Sequence, residues 1–488
     1  MVNKKETNVK NKKRVRDFGE VFTPQWLVEE MLNLPCIKES CENIETTFLE
    51  PSAGEGAFLI AILKHKLETV SIFYNNDIQQ YEQYSLYALS TLYGVELLQD
   101  NVEKCIVNLF ETYLNYYNKA CGKHSIEKEN NYILNSANTI LNKNIQQGDF
   151  LNKETFKNVK FDVIIGNPPY QLSVGGCNGA NAIPIYDKFI EAAKRLNPKY
   201  ITMIIPAKWY TGGRNLNAFR ESMINDKRIR EIHDFPKSID CFPSVDIAGG
   251  ICYFLWDSNH QGLCDFYEHR NHEVTSVSTR YLKVPYFKGV IRNNNAISIT
   301  DKLNLTETEN FSKLVKSQTP FGLYSNFKNF SNSPASNYVK LLRVKKKGDG
   351  DAYVSINEIT KNKEIVHQYK IYTNLNYGRS IDGNPPYKVI SDPILGFPQT
   401  CCTQSYLVIG GFETQIEAEN VISYMETKFF RFLVMLALAG QTFSPSTYSL
   451  IPMQNFSKAW TDDELYEKYG LSQDEIDYIE SMIRPMEK

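Results

Sequence analysis

The sequence predicts an α/β chain, with a doubly wound, Rossmann-like sheet over residues 1–258 and a C-terminal α+β domain over 259–488. Three observations predict it. Short apolar strands alternate with amphipathic helices from about residue 44 to 256, the pattern of a sheet covered by helices on both faces. A strand, a turn of small residues and a helix follow one another at Phe48–Leu59, as at a ligand-binding βα junction. After residue 258 the alternation stops. At about 150 residues per domain, 488 residues allow two or three domains.

The expected strands are 47–49, 92–95, 161–165, 200–205, 229–232 and 250–255. Helical spacing of apolar residues fills the gaps between most of them, at 57–68 and 186–195 for example, and 97–118 reads as a helical insertion. Beyond the boundary, 290–340 is rich in Asn, Ser and Thr and has little periodicity, and Gly348-Asp349-Gly350-Asp351 reads as a turn. β-prone segments return at 352–356, 386–390 and 405–410. The last hundred residues read as helical, with capping boxes at Thr461/Glu464 and Ser472/Glu475.

Composition narrows the class. The apolar fraction is 42% and the charged fraction 23%, ordinary for a soluble globular protein. The longest apolar run, 432–439, is far short of the roughly 18–20 residues of a membrane span and reads as a buried helix. The Lys- and Arg-rich N-terminus has no apolar core, so it is no secretory signal. The ten cysteines form no CxxC pair and no zinc spacing with histidine, so no metal is expected and the thiols read as reduced, in a cytoplasmic protein. Net charge is −2, but residues 260–347 hold fourteen Lys and Arg against six acids, and the first sixteen residues hold seven basic side chains and one acid. Both stretches have the charge to meet phosphates; either also fits a solvated surface.

Three local patterns carry chemistry, and their order matters most. The first is Glu50-Pro51-Ser52-Ala53-Gly54-Glu55-Gly56, where glycines let the backbone approach a ligand and the following helix offers free amides and partial positive charge. It suits the carboxylate of an amino-acid-bearing cofactor. It lacks the Gly-Lys-Ser/Thr ending of a phosphate loop. The second is Glu96 at the end of a strand, placed to accept from both hydroxyls of a ribose, with Asp149-Phe150 one strand later. There the acid would accept from an adenine amino group while the phenyl ring packs on the base.

The third pattern is Asn167-Pro168-Pro169-Tyr170, delivered by the apolar run 161–165 to the carboxyl end of the sheet. An aromatic amine is a poor nucleophile because its lone pair is conjugated with the ring. Two acceptors aimed at its N–H bonds, the Asn167 side-chain oxygen and the Pro168 carbonyl, draw the nitrogen toward tetrahedral geometry. Proline locks the direction of that carbonyl, and Tyr170 can stack on the base. A second copy, Asn384-Pro385-Pro386-Tyr387, has no apolar strand before it and reads as a turn.

With these residues the chain resembles the gamma-class adenine N6 DNA methyltransferases of bacterial restriction–modification systems, over about 18–256 and more loosely to the C-terminus. The resemblance implies a Rossmann-like methyltransferase sheet with a C-terminal target-recognition domain, and S-adenosylmethionine as cofactor. It implies cofactor binding by Thr23 and Pro24 of an opening motif, by Glu50, Ser52, Gly54 and Gly56, by Glu96, and by Asp149 and Phe150. It implies catalysis by Asn167, Pro168, Pro169 and Tyr170. The segment 204–209 is similar to the strand and loop that follow, and Phe254, with Tyr253 as runner-up, is assigned as a second aromatic against the flipped base. The implied partner is double-stranded DNA, with a separate restriction endonuclease as an optional one, no membrane, and a monomeric chain.

One departure is the interval from Gly56 to Glu96, longer than the usual ~20 residues; an added helix would absorb it. Other readings compete. Methyltransferases of protein glutamine or of RNA use the same tetrapeptide chemistry, but about 230 C-terminal residues with a basic segment suit a DNA cleft. A bifunctional enzyme that also cuts DNA would need a nuclease segment. Only seventeen residues precede Phe18, and no paired-acid and lysine pattern stands out after 258. The intact tetrapeptide and cofactor turn argue against a non-catalytic DNA-binding subunit.

Overall fold

The computed structural model describes residues 14, 21–152, 156, 158–172, 183–213, 215–245, 247, 249–285, 287–303, 305, 310–344, 349–377, 384–438 and 442–486. They fall into two compact units, Met1–Leu282 and Lys283–Lys488.

The first unit is built on a nine-stranded mixed sheet. Its strands are β1 (Phe48–Glu50), β2 (Leu92–Glu96), β3 (Ile145–Gln147), β4 (Val163–Gly166), β7 (Tyr200–Pro206), β8 (Ile229–Phe235), β9 (Ile251–Asp257), β10 (Cys264–Arg270) and β11 (Glu273–Arg280). A separate two-residue pairing joins β5 (Gln171–Leu172) to β6 (Ile183–Pro184). The sheet order is β11-β10-β8-β9-β7-β4-β1-β2-β3. Strands β3, β2, β1, β4 and β7 run parallel, and β9 lies antiparallel between β7 and β8. β1 hydrogen-bonds β2 on one side and β4 on the other, so the chain reverses its direction of winding there. In open α/β sheets the crevice outside the carboxyl ends at such a point is where ligands bind.

Every residue of β9, and all but the first of β7, is buried. Continuous apolar strands are what a sheet covered on both faces requires. The core gathers Phe48, Leu92, Val163, Ile165, Ile204 and Leu255 of the sheet with Leu59, Ile62, Leu89 and Leu109 of the covering helices. Those helices are α1 (Gln25–Leu32), α2 (Pro35–Glu42), α3 (Ala57–Phe73), α4 (Ile78–Ser90), α5 (Gln99–Lys123), α6 (Asn131–Asn144), α7 (Tyr186–Arg195) and α8 (Asn217–Asn225). The long interval from Gly56 to Glu96 is filled by an extended α3 and by α4. The latter is started by Asp77, whose side chain accepts from the Gln79 amide. The insertion expected at 97–118 is α5, with α6 beside it.

The doubly wound α/β expectation therefore describes the first unit, with one extension. The sheet does not stop near residue 258, because β10 and β11 add a hairpin to its edge. That hairpin turns on Asn271-His272, both with positive φ (49° and 68°), the twist that two-residue hairpin loops favour. β10 alternates buried and half-buried residues rather than forming an apolar run, and β11 is largely exposed, so apolar patterning passes over both.

The second unit is α+β. One three-stranded sheet has the order β13-β12-β16, from Tyr353–Ser355, Tyr338–Leu342 and Thr400–Cys402. Another has the order β15-β14-β17, from Ile394–Gly396, Tyr369–Asn374 and Tyr406–Phe412. Helices α9 (Ile297–Asp301), α10 (Gln415–Glu426), α11 (Lys428–Ala437), α12 (Asp462–Lys468) and α13 (Gln473–Met482) complete it. Both expected capping boxes form: Thr461 with Glu464 and Ser472 with Glu475. The apolar run at 432–439 contributes to α11, whose Phe429, Phe430, Phe432 and Leu433 are fully buried. Segment 386–390 forms no strand. Among the described residues no helix is long and apolar enough to cross a membrane.

Candidate active site

Adjacent parallel strands β3, β2, β1 and β4 end side by side, and four of the acid and amide residues singled out in the sequence stand at those ends. Glu50 closes β1, Glu96 closes β2, Asp149 follows β3 and Asn167 follows β4. The loop 51–56 crosses the same edge. Its Gly54 amide donates to Glu96 Oε2 at 2.8 Å, and the Ser52 hydroxyl donates to the Asn167 carbonyl at 3.0 Å. One loop thus ties the end of β2 to the end of β4.

Two glycines make this loop possible. Gly54 has φ +51° and Gly56 φ +89°, the left-handed region that glycine adopts without steric cost. Gly56 also begins α3 against α5, where a Cβ would fall 2.7 Å from Cys105 Sγ. A second close approach occurs at Gly166, where a Cβ would lie 3.3 Å from Glu50 Cγ.

Glu96 is 8% exposed and well held. Besides Gly54 it accepts from the Leu98 amide at 3.0 Å and from Asn101 Nδ2 at 3.4 Å. A carboxylate has about four acceptor sites, so capacity remains for a ligand hydroxyl. The backbone carbonyl of Glu96 accepts from the Gly148 amide at 2.9 Å, which holds the turn carrying Asp149. Asp149 is exposed. Its two oxygens accept from the Leu151 amide and Asn152 Nδ2, both at 3.0 Å, so it also starts the short helical turn Phe150–Asn152. Phe150 is half-buried and stacks on Phe189 of α7, with centroids 5.7 Å apart.

Glu50 is 2% exposed, and among the described residues its Oε2 has no hydrogen-bond partner. Burial pushes its carboxyl well above the usual range, the Leu59 amide of α3 opposes this, and the Glu96 charge adds to it. An orphaned buried acceptor beside a glycine-lined loop and a helix N-terminus fits a zwitterionic ligand, whose ammonium would meet Glu50 and whose carboxylate would meet the helix amides.

Asn167 is half-buried. Its Nδ2 donates to the Val21 carbonyl and to Thr23 Oγ1, both at 3.1 Å. Val21 and Thr23 thus lie against the residue expected to act on the substrate, and Pro24 occupies the N-cap of α1. Pro168 is buried, and Pro169 and Tyr170 are half-buried. The hydroxyl end of Tyr170 is buried against the main core, which pushes its phenol well up. The Tyr170 carbonyl accepts from the Ile185 amide at 3.3 Å.

Two expected roles change. Phe254 has no exposed surface and sits in the middle of β9, paired with Met203 of β7 and Ile232 of β8. It is a core residue and offers no face to a base. The runner-up, Tyr253, is also fully buried, stacked on His233 with centroids 4.3 Å apart. Neither position is at the carboxyl edge, and an apolar strand buried on both faces cannot be told in sequence from one whose face lines a pocket. Conversely, the Val21 contact to Asn167 leaves no mark in the sequence, because it is made by a backbone carbonyl.

In the second tetrapeptide, Asn384, Pro385 and Pro386 are exposed. Tyr387 pairs by backbone with the C-terminal segment, donating to the Met482 carbonyl and accepting from the Arg484 amide. Its preceding residues 378–383 lie outside the described residues, as do most of the basic N-terminal sixteen. Of the later basic stretch, Arg280 is buried over the Phe266 ring, and Lys302, Lys340 and Arg343 pair with Glu475, Asp351 and Asp349.

Comparisons with known proteins point the same way. Residues 90–242 match the family model "Eco57I restriction-modification methylase". An "Uncharacterized adenine-specific methylase" of Mycoplasma pneumoniae is 51% identical over 112 residues, 22% of this chain. That match spans only 26% of the curated relative's length. Among solved structures, the Type IIL restriction-modification enzyme MmeI in complex with DNA is similar with a TM-score of 0.53 at 10% identity, over 90% of this chain and 68% of that one. At that identity the likeness speaks for the fold.

Proposed function

We propose that this protein is an adenine-specific DNA methyltransferase of the restriction–modification type, acting on N6 of an adenine extruded from double-stranded DNA. The observation that carries the reading is the convergence of Glu50, Glu96 and Asn167 at neighbouring strand ends, joined by the loop that bonds both Glu96 and Asn167. The methylase family match over 90–242 and the adenine-specific relative support it.

S-adenosylmethionine fits the donor and acceptor set: Glu50 and the α3 amides for its zwitterionic end, Glu96 for the ribose, and Asp149 with Phe150 for the adenine. When bound, it supplies an activated methyl group on a sulfonium. The chain's own residues do the rest. The Asn167 side-chain oxygen and the Pro168 carbonyl accept the two N–H bonds of the target amine and turn its lone pair out of conjugation. Tyr170 offers the base an aromatic face. No strong general base is needed when the electrophile is already activated, so catalysis is positioning plus oriented dipoles. The second unit reads the sequence, with a separate endonuclease as a further partner.

Expression in a bacterium without adenine methylation, followed by genome-wide mapping of modified adenines, tests this directly. A single modified motif, absent with Asn167→Ala, is expected. Unmodified DNA with the wild-type chain would refute it.

A further inference from the structure

We infer that Thr23 and the backbone carbonyl of Val21 are positioning elements that fix the side-chain amide of Asn167 in the one orientation able to receive the substrate amine; the inference rests on the function proposed above. An amide has two ends of opposite character, and a half-turn about its last torsion exchanges them with little change in shape. Only one end suits the reaction. With the oxygen toward the amine, Asn167 accepts an N–H and activates the nitrogen. With the nitrogen outward, two donors face two donors.

The structure supplies the discriminating partners. A carbonyl oxygen has no hydrogen to give, so the Val21 carbonyl, 3.1 Å from the amide, admits only the nitrogen. Thr23 Oγ1 takes the second N–H at the same distance. Both amide hydrogens are thereby used, and the oxygen is the end left to accept. The reversed amide would set two carbonyl oxygens against each other and forfeit the Thr23 acceptor. The backbone of Asn167 is held separately, by the Ser52 hydroxyl on its carbonyl, so the two N-terminal contacts act on the side chain alone. Thr23 was expected as a cofactor contact. Its hydroxyl also touches the residue proposed to touch the substrate, which makes it a positioning residue as well.

The test compares Thr23→Val, which keeps the shape and removes the acceptor, with Thr23→Ser, which restores it. Thr23→Ala guards against a packing defect peculiar to valine. Wild-type and variant chains are assayed for methyl transfer to DNA carrying the mapped motif. Cofactor and DNA affinities are measured by calorimetry and titration, and folding by melting temperature. We expect Thr23→Val and Thr23→Ala to lower kcat by roughly 10- to 100-fold, as misplaced reacting groups do. Cofactor and DNA affinities should stay within about twofold, and Thr23→Ser should recover most of kcat. A kcat equal to wild type in Thr23→Val, or a loss confined to cofactor affinity, overturns the inference and leaves the methyltransferase reading standing. A wild-type chain that transfers no methyl group overturns that reading first, and this inference with it.

Discussion

At the scale of residues, the site divides into groups that the sequence announces and groups that it hides. Asn167, Glu96 and Glu50 announce themselves as polar residues ending apolar strands, where burial needs a reason. Val21 is hidden because a carbonyl is common to every residue, and Phe254 misled because an aromatic in a strand buried on both faces looks the same whichever face it lines. Two predictions belong here. Tyr170 and Tyr387 share a tetrapeptide context but not a setting: one follows β4 at the sheet's carboxyl edge, the other pairs with the C-terminal segment. Tyr170→Ala should therefore lower both methyl transfer and the fluorescence of 2-aminopurine placed at the target base, since stacking offsets extrusion by roughly 1–3 kcal/mol per aromatic face. Tyr387→Ala should change neither; the opposite pattern would mean that the wrong loop has been assigned. The second concerns His269, 4% exposed, with Nε2 3.0 Å from Nδ1 of His233, itself stacked between Tyr253 and Tyr267. Burial first, and the neighbouring imidazole second, push His269 down from 6.5 to about 3. A depressed histidine is neutral when folded, while the unfolded chain binds the proton below about 6.5. Its contribution is complete above that pH and is lost as pH falls toward 3. His269→Gln keeps a hydrogen-bonding amide and removes the titration, so urea unfolding should show a shallower fall in stability from pH 6.5 to 3. An unchanged slope would exclude His269 as the cause.

At the scale of elements, the turn between β1 and α3 is where sequence and fold agree most closely, because glycine requirements are local. Gly56 combines a left-handed φ of +89° with a neighbour 2.7 Å from where a Cβ would stand, Cys105 Sγ on α5. Gly56→Ala should destabilise the first unit by about 1–2 kcal/mol from backbone conformation alone, with a further cost from the contact. The two parts separate in a double-mutant cycle. Adding Cys105→Ala should relieve the contact and leave the backbone cost, a coupling readable from urea midpoints. Strict additivity would show that α5 gives way freely at this point. Three strands of the first sheet share a property that hides them from apolar patterning. β3 is three residues long and ends exposed, β10 alternates, and β11 shows little burial. Each is recruited by a neighbour's hydrogen-bonding edge rather than by its own apolar pattern, and edge pairing is a tertiary fact.

At the scale of the whole molecule, the proposed function asks a chain of net charge −2 to hold a polyanion. Basic residues cluster between 260 and 347, yet the structure sorts them unequally. Arg280 is buried over Phe266, and Lys302, Lys340 and Arg343 pair with acids. A lysine already paired with a carboxylate must exchange that partner to meet a phosphate, and the gain is correspondingly small. Lys288, Lys313 and Lys328 are exposed, and no ion pair engages them among the described residues. On the proposed function they are the better candidates for phosphate contact. Each phosphate neutralised releases condensed counterions and steepens the dependence of log K on log salt by about 0.9. Lys313→Ala and Lys328→Ala should each weaken binding at low salt and flatten that slope by about 0.9, on cognate and unrelated duplexes alike, since phosphates carry no sequence. Lys340→Ala should leave the slope where it was. Fluorescence anisotropy over a salt series reads all three. If Lys340→Ala flattened the slope while Lys313→Ala and Lys328→Ala did not, the phosphate-binding face would be the one carrying the ion-paired β12.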